Sequence, residues 1–155
     1  MNTMYMISKL FLDSSVLVEY TKNNRTALMD HLLLTMPGML FINSIVLSEY
    51  MYHWLGNNGG KSPRSLQQSR KIGEIIRSND QAVFLSLFVV LPVDDRIVPV
   101  CLELMQRYNL LPNDALIIAT AKLHGIDTIA SFDADFLPAC EGERIQLIRE
   151  ITDVA

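Results

Sequence analysis

Short apolar runs that end in helix-start residues constrain the fold of this chain more than any other sequence feature. Continuous apolar strands of this length are typical of parallel sheets that are covered on both faces. Serine or asparagine follows directly in Asp13-Ser14-Ser15 and Asn43-Ser44, as at the start of a helix. The predicted strands are Lys9–Leu12, Met39–Ile42, Val89–Val93, Thr128–Ala130 and, at an edge, Arg144–Ile148.

Helical segments alternate with these strands, and we expect Gly56 to end the third of them and Gly125 to cap the last. Residues 57–63 are predicted to form a mobile loop. Strand–helix alternation with right-handed crossovers predicts an α/β fold, a three-layer α/β/α sandwich with a mainly parallel sheet of four to five strands. The predicted helices are Ser15–Tyr20, Arg25–Met36, Ser44–Leu55, Ser65–Arg77, Arg96–Tyr108 and Asn113–His124.

Length and composition favour one folded domain over residues 1–155, because half of the residues are hydrophobic and only 19% are charged. The longest apolar run, Ala82–Val93, is shorter than the roughly 20 residues that cross a membrane. We therefore expect this run to lie in the core and the chain to have no membrane partner. Cys101 and Cys140 lack metal-ligand spacing, which predicts reduced thiols in a cytoplasmic protein.

The charge is unevenly distributed along the chain. The formal net charge is −4, yet residues 61–77 hold five basic residues against Glu74 alone, a local balance of +4. The remainder therefore carries −8. Such a distribution predicts either a basic surface that holds a polyanion or a solvated helix face. The candidates for binding an RNA backbone are Arg64, Arg70, Lys71 and Arg77.

Acidic residues follow two of the predicted strands. Asp13 comes directly after the first, and Asp133 and Asp135 come just after the fourth. Ligands of open parallel sheets bind outside the carboxyl ends of the strands, which makes these acids candidates for a site. Each also has a structural explanation, because Asp13 can cap a helix and the other two can form a turn.

Two further acids lie on predicted helices that begin at the same edge of the sheet. Glu49 belongs to a largely apolar stripe with Val46 and Tyr52, where an unpaired charge is costly. Asp114 opens a helix that is apolar nearly all round, although an acid in a first turn also benefits from the helix dipole. Both carboxylates can therefore point to the region of Asp13.

Four or five carboxylates in one place repel each other unless cations bind between them. Mg²⁺ and Mn²⁺ prefer oxygen ligands, and no set of His or Cys residues suggests zinc. Pairs of such ions, held by carboxylates, are the usual apparatus for attack of water on a phosphodiester. The acids thus predict a metal-dependent nuclease.

Four stretches of the sequence resemble the motifs of PIN-domain nucleases, particularly the VapC-type toxin ribonucleases of toxin–antitoxin pairs. Each stretch is a loose pattern, but all four occur in the family's order and spacing over nearly the whole chain. The stretches are Phe11–Val18, Asn43–Tyr50, Leu111–Ala121 and Thr128–Phe136.

The resemblance implies a role for several residues. Asp13, Glu49, Asp114 and Asp133 would be the catalytic, metal-binding acids, with Asp135 as an alternative or supporting ligand. The Ser131 hydroxyl would support the site, and that of Ser14 would do so beside Asp13. The resemblance also implies Mg²⁺ or Mn²⁺, cleavage of RNA, a homodimer and inhibition by a cognate antitoxin protein.

Several other functions fit the sequence less well. A haloacid-dehalogenase-like phosphatase needs an Asp where this chain has Ser15, and a receiver domain needs an acidic neighbour of Asp13 and a late Lys. A DNA nuclease of the flap-endonuclease type needs a longer chain. A non-catalytic module of the same fold that binds RNA or a protein stays open as the alternative.

Overall fold

The computed structural model of the chain describes residues 7–154. It contains a five-stranded sheet in which every neighbouring pair of strands is parallel, in the order β3-β2-β1-β4-β5. The predicted α/β architecture is confirmed, with the last strand at an edge. The strands are β1 (Leu10–Leu12), β2 (Leu40–Asn43), β3 (Val89–Leu91), β4 (Thr128–Ala130) and β5 (Gln146–Ile148).

The strand β1 lies in the middle of the sheet and is completely buried. Phe11 pairs with Phe41 on one side and with Ile129 on the other, and Leu12 pairs with Ala130. The chain runs from β1 toward β3 and then crosses to β4, so the order of strands reverses beside β1. Crevices at such reversal points bind ligands in open α/β sheets.

The helices pack in two groups. In the first group, α1 contacts α2 and α3, and α3 contacts α4 and α5. In the second group, α7 contacts α8 and α9. Because crossovers between parallel strands are right-handed in nearly all proteins, we expect these groups to lie on opposite faces of the sheet. The helices α3 and α8 also contact each other. The helices are α1 (Ser14–Thr21), α2 (Ala27–Thr35), α3 (Ser44–Gly59), α4 (Pro63–Gln68), α5 (Ile72–Ser78), α6 (Ala82–Leu85), α7 (Ile97–Tyr108), α8 (Pro112–Leu123) and α9 (Leu137–Gly142), with short 3-10 turns at Ala134–Phe136 and Ile151–Asp153.

The end of α3 differs from the prediction. The helix continues through Gly56 to Gly59, and Gly60 caps it with a left-handed φ of 64°. The predicted loop over residues 57–63 is therefore mostly helix and cap. A Cβ atom at Gly59 would overlap Leu66 of α4, so a glycine inside the helix permits close packing of the next element.

The prediction of one helix over Ser65–Arg77 is wrong, because α4 ends at Gln68 and α5 begins at Ile72. Arg70 has a left-handed φ of 57°, and the Lys71 N–H donates to the Leu66 carbonyl (2.9 Å). The break turns the chain so that both short helices contact α3.

The expectation that Ala82–Val93 is buried is also wrong. Phe88 is buried, but Val83 is 77% exposed and Val90 is 50% exposed. The run divides into α6 and the strand β3, which lies at the edge of the sheet and contacts only β2. No helix within residues 7–154 has the length and apolar character that crossing a membrane requires.

Candidate active site

Asp13 occupies the end of the central strand and is 4% exposed. Its N–H donates to the Ala130 carbonyl (2.9 Å), and its Oδ2 accepts hydrogen bonds from the hydroxyls of Ser15 (2.6 Å) and Ser131 (2.7 Å). Burial raises the pKa of this carboxyl, and the two hydroxyl hydrogen bonds oppose that effect. The two serines therefore help to keep a buried carboxylate charged.

Ser131 connects Asp13 to the segment after β4. Its hydroxyl donates to Asp13 and accepts from the Asp133 N–H (3.0 Å). The Asp133 carboxylate in turn accepts from the Asp135 N–H (2.9 Å) and caps the following 3-10 turn. Asp133 and Asp135 are exposed. The Ser131 hydroxyl thus contacts Asp13 directly, and its supporting role in the site stays a prediction.

Glu49 is held by residues that adjoin two of the other acids. Its Oε2 accepts from the Ser14 hydroxyl (2.7 Å), and its Oε1 accepts from the side-chain amide of Asn113 (2.7 Å). The Ser14 hydroxyl thus contacts Glu49 rather than Asp13. The predicted place beside Asp13 belongs to Ser15, because the first two side chains of α1 point in different directions.

A buried hydrogen bond sets the relative position of α3 and α8, the helices that carry Glu49 and Asp114. Asn43 is completely buried and caps α3 by accepting from the Val46 N–H (3.0 Å). Its side-chain amide donates to the Thr120 hydroxyl on α8 (2.8 Å). Because both groups are buried, this pair resists displacement of one helix against the other.

Asp114 lies in the first turn of α8, half-buried among the other acids. Its pKa is raised to about 6, first by burial and then by the negative charges of Asp13, Asp133, Glu49 and Asp135, in that order. The other four predicted acids are therefore near enough to Asp114 for their charges to raise its pKa.

These five residues suit a hard divalent cation in the chemistry of their donors. All of them offer carboxylate oxygens, and Oδ1 of Asp13 receives no hydrogen bond from the described residues. Within residues 7–154, however, no three Asp, Glu, His or Cys side chains lie close enough together to form a ligand set. The repulsion that raises the pKa of Asp114 is the force that a bound cation would relieve.

The predicted RNA-binding residues lie on a different part of the surface. Arg64, Arg70, Lys71 and Arg77 are all exposed on or between α4 and α5. Lys71 forms an ion pair with Glu74 (2.9 Å). These helices pack near Gly59, which is about 15 Å along α3 from Glu49 at 1.5 Å per residue. The structure does not bring the basic residues into direct contact with the acids.

Ser15 and Asn113 are two residues of the site that the sequence patterns do not assign to it. Ser15 has the pattern of a helix-start residue, although it occurs two positions after Asp13. Asn113 directly precedes Asp114 within a stretch that matches a family motif. Proximity to a predicted acid at a helix N-terminus is the signal that would have selected both.

Comparisons with known proteins identify the family of the chain. The sequence model of the PIN domain matches residues 10–141. Ribonuclease VapC6 of Methanocaldococcus jannaschii is 32% identical over 142 residues, which cover 83% of this chain and 91% of that protein. Ribonuclease VapC2 of the same organism is 37% identical over 99 residues, or 62% of this chain, and the match spans 64% of VapC2, slightly under two thirds of its length.

A solved structure has the same fold. A toxin–antitoxin complex from Klebsiella pneumoniae contains a chain that superposes with a TM-score of 0.59 at 22% identity. The superposition covers 93% of this chain and all of that one. With the family model matching most of its length, the chain belongs to the PIN-domain family.

Proposed function

We propose that this protein is a metal-dependent endoribonuclease and the toxin of a toxin–antitoxin pair. The observation that carries the proposal is the hydrogen-bond chain from Ser14 through Glu49 to Asn113. It links the end of β1 to the start of α8, and therefore connects the positions of Asp13, Glu49 and Asp114. The two relatives that match over most or much of this chain are named ribonucleases, which supports RNA as the substrate.

In the proposed mechanism, Asp13, Glu49, Asp114 and Asp133 would hold Mg²⁺ or Mn²⁺, with Asp135 as the alternative fourth ligand. Such an ion would lower the pKa of water and stabilise negative charge on the phosphate. The protein contributes the orientation of the ligands. Ser131 and Ser15 fix one oxygen of Asp13, and Ser14 and Asn113 fix both oxygens of Glu49.

The carboxylates also predict that metal strengthens substrate binding. An RNA phosphate that approaches four ionised acids is repelled less once cations neutralise them. Exposed arginines on and between α4 and α5 hold the RNA backbone at a distance from the cleaved bond, so binding weakens as salt concentration rises. Arg64, Arg70 and Arg77 carry more of this binding than Lys71, whose charge is paired.

An antitoxin and a second copy of the chain are the proposed protein partners. The Klebsiella pneumoniae neighbour is a toxin–antitoxin complex, which supports the first. Exposed apolar side chains on α7, Val98 (56%) and Leu102 (61%), support the second.

The test is cleavage of labelled tRNA and mRNA pools by purified protein with Mn²⁺, Mg²⁺ or EDTA, beside Asp114→Asn. We expect cleavage with either metal, none with EDTA and a loss of at least 100-fold in the variant, the order of magnitude that electrostatic stabilisation of a transition state contributes. Asp127→Asn is the matched control, because Asp127 precedes β4 at the opposite edge of the sheet. Equal cleavage by wild type and Asp114→Asn would show that the site is wrongly assigned.

One observation favours a second candidate, a module of this fold that binds RNA or protein without cleaving it. The described carboxylates do not form a close ligand set. Stoichiometric RNA binding without turnover under any of the metals would select this alternative.

A further inference from the structure

A pocket of about 310 Å³ adjoins the candidate active site and contains none of the residues discussed so far as acids or RNA ligands. It lies between the start of α2, the residue after Ser131 and the segment after β5. Its volume is at the lower end of the range that small-molecule sites occupy. The residues that carry its chemistry are Arg25, Leu28, Phe132, Arg149 and Ile151.

Two arginines of this pocket converge on Phe132. The guanidinium carbon of Arg25 lies 3.7 Å from the centre of the Phe132 ring, a cation–π contact. Arg149 Nη2 donates to the Phe132 carbonyl (3.3 Å). One residue thus brings two positive charges to the same pocket.

Neither guanidinium forms a salt bridge with a carboxylate in the part of the chain that the structure describes. One acid, Glu150, also lines the pocket, and its carboxylate accepts from the N–H of Asp153. The Asp153 carboxylate accepts from the N–H groups of Arg149 (2.8 Å) and Glu150 (3.0 Å). Nε of Arg149 is buried and has no hydrogen-bond partner among the described residues. Two guanidinium groups without carboxylate partners in the described part of the chain leave positive charge at the pocket, which favours an anion there.

Phe132 also connects the pocket to the acids. It lies between Ser131 and Asp133, and its N–H donates to the Ser15 hydroxyl (3.0 Å), which donates to Asp13 (2.6 Å). Two hydrogen bonds and two adjacent residues of the chain thus connect the pocket wall to Asp13 and Asp133.

We propose that the pocket binds the nucleotide of single-stranded RNA next to the cleaved bond, with Arg25 and Arg149 on its phosphate and Leu28 and Ile151 against its base. The proposal rests on the proposed function, because the position of the cleaved bond is taken from it. Guanidinium groups bind phosphate oxygens in pairs of hydrogen bonds, and apolar side chains can pack against the face of a base. Binding of this nucleotide in the pocket would determine which phosphodiester bond of the RNA strand lies at the acids.

The experiment compares Arg25→Gln and Arg149→Gln with Arg144→Gln. Arg144 is the matched control, because it is an exposed arginine at the opposite end of the same strand, β5. The dissociation constant of a short, fluorescein-labelled, mixed-sequence single-stranded RNA is measured by fluorescence anisotropy in EDTA, over a range of salt. We expect about tenfold weaker binding at low salt for each pocket variant. The slope of log K against log salt should fall by about 0.7 for each lost phosphate contact, with no change in the control.

Thermal melting of each variant verifies that it is folded. Because Arg25 is exposed, Arg25→Gln should leave the core intact. The proposal would be overturned if both pocket variants had the same affinity and the same salt slope as Arg144→Gln. The pocket would then be a candidate site for a carboxylate of a partner protein. That result, with metal-dependent cleavage intact in wild type, would leave the proposed function standing. Loss of RNA affinity in both pocket variants of a protein that never cleaves would instead support the pocket and refute the nuclease.

Discussion

At the scale of single residues, Asp114 is a half-buried acid surrounded by four others. Its pKa of about 6, against an ordinary value of 3.8, means that the ionised carboxylate is less stable in the folded chain than in the unfolded one. Without metal, the folded state therefore loses stability as pH rises from about 4 to about 6, and the whole loss is present at pH 7.

We predict that Asp114→Asn is more stable than wild type in metal-free buffer at pH 7. The gain is ~1 kcal/mol, from about 1.4 kcal/mol per pKa unit reduced for solvent screening, which raises the melting temperature by about 2–4 °C. The difference should shrink as pH falls and disappear below about pH 3, where Asp114 is protonated in both the folded and the unfolded state. Asp127→Asn controls for loss of a charge, and an equal gain in both variants at pH 7 would contradict the prediction.

The carboxylates could be selected from the sequence because each one occurs beside a strand end or a helix start. Asp13 follows β1, Glu49 lies in the second turn of α3, and Asp114 lies in the first turn of α8. Their roles as ligands stay a prediction. Arg25 and Arg149 could not be selected, because they are far apart in sequence and meet only at Phe132, a contact that no local pattern encodes.

At the scale of elements, the packing of α4 and α5 on α3 depends on Gly59. A Cβ atom there would overlap both methyl groups of Leu66 and approach Ile75 Cδ1 at 2.9 Å, whereas at Gly56 it would meet Pro63 at an ordinary 3.6 Å. The same substitution at two positions of one helix therefore separates packing from helix propensity.

We predict that Gly59→Ala lowers the free energy of unfolding by about 1–3 kcal/mol, the usual cost of overpacking. Gly56→Ala should be neutral or stabilising by up to about 1 kcal/mol, since alanine favours helix. Urea denaturation measures both. If Gly59→Ala were as stable as Gly56→Ala, the contact between α3 and the basic helices would be looser than the structure indicates.

The sequence did not predict the two short helices α4 and α5, because tertiary contacts separate them. Local propensity extends one helix through Ser69, Arg70 and Lys71, and only the contacts of α4 and α5 with α3 favour the left-handed turn at Arg70. Gly56 was misleading for the same reason, because a glycine tolerated inside a helix resembles one that ends it.

At the scale of the whole molecule, α7 presents Val98 and Leu102 to solvent, one turn apart on the same face. If the second copy proposed above binds there, Leu102→Lys should convert a dimer into a monomer, because a buried unpaired charge is costly. Light scattering measures the mass. Leu34→Lys is the control, since Leu34 is 82% exposed on α2, and a dimer that survives Leu102→Lys would place the interface elsewhere.

The parallel sheet has one further consequence, for how proteins of this shape diversify. All five strands end at the edge that holds the acids, so the turns that precede β2, β4 and β5 lie at the other edge. Two of these turns contain glycines with left-handed φ angles, Gly38 and Gly125, and the third contains Arg144 in the same conformation. Insertions, fusions or labels introduced there lengthen the chain on the side away from the acids. Mutation can therefore change the size and the attachments of this protein without changing its chemistry.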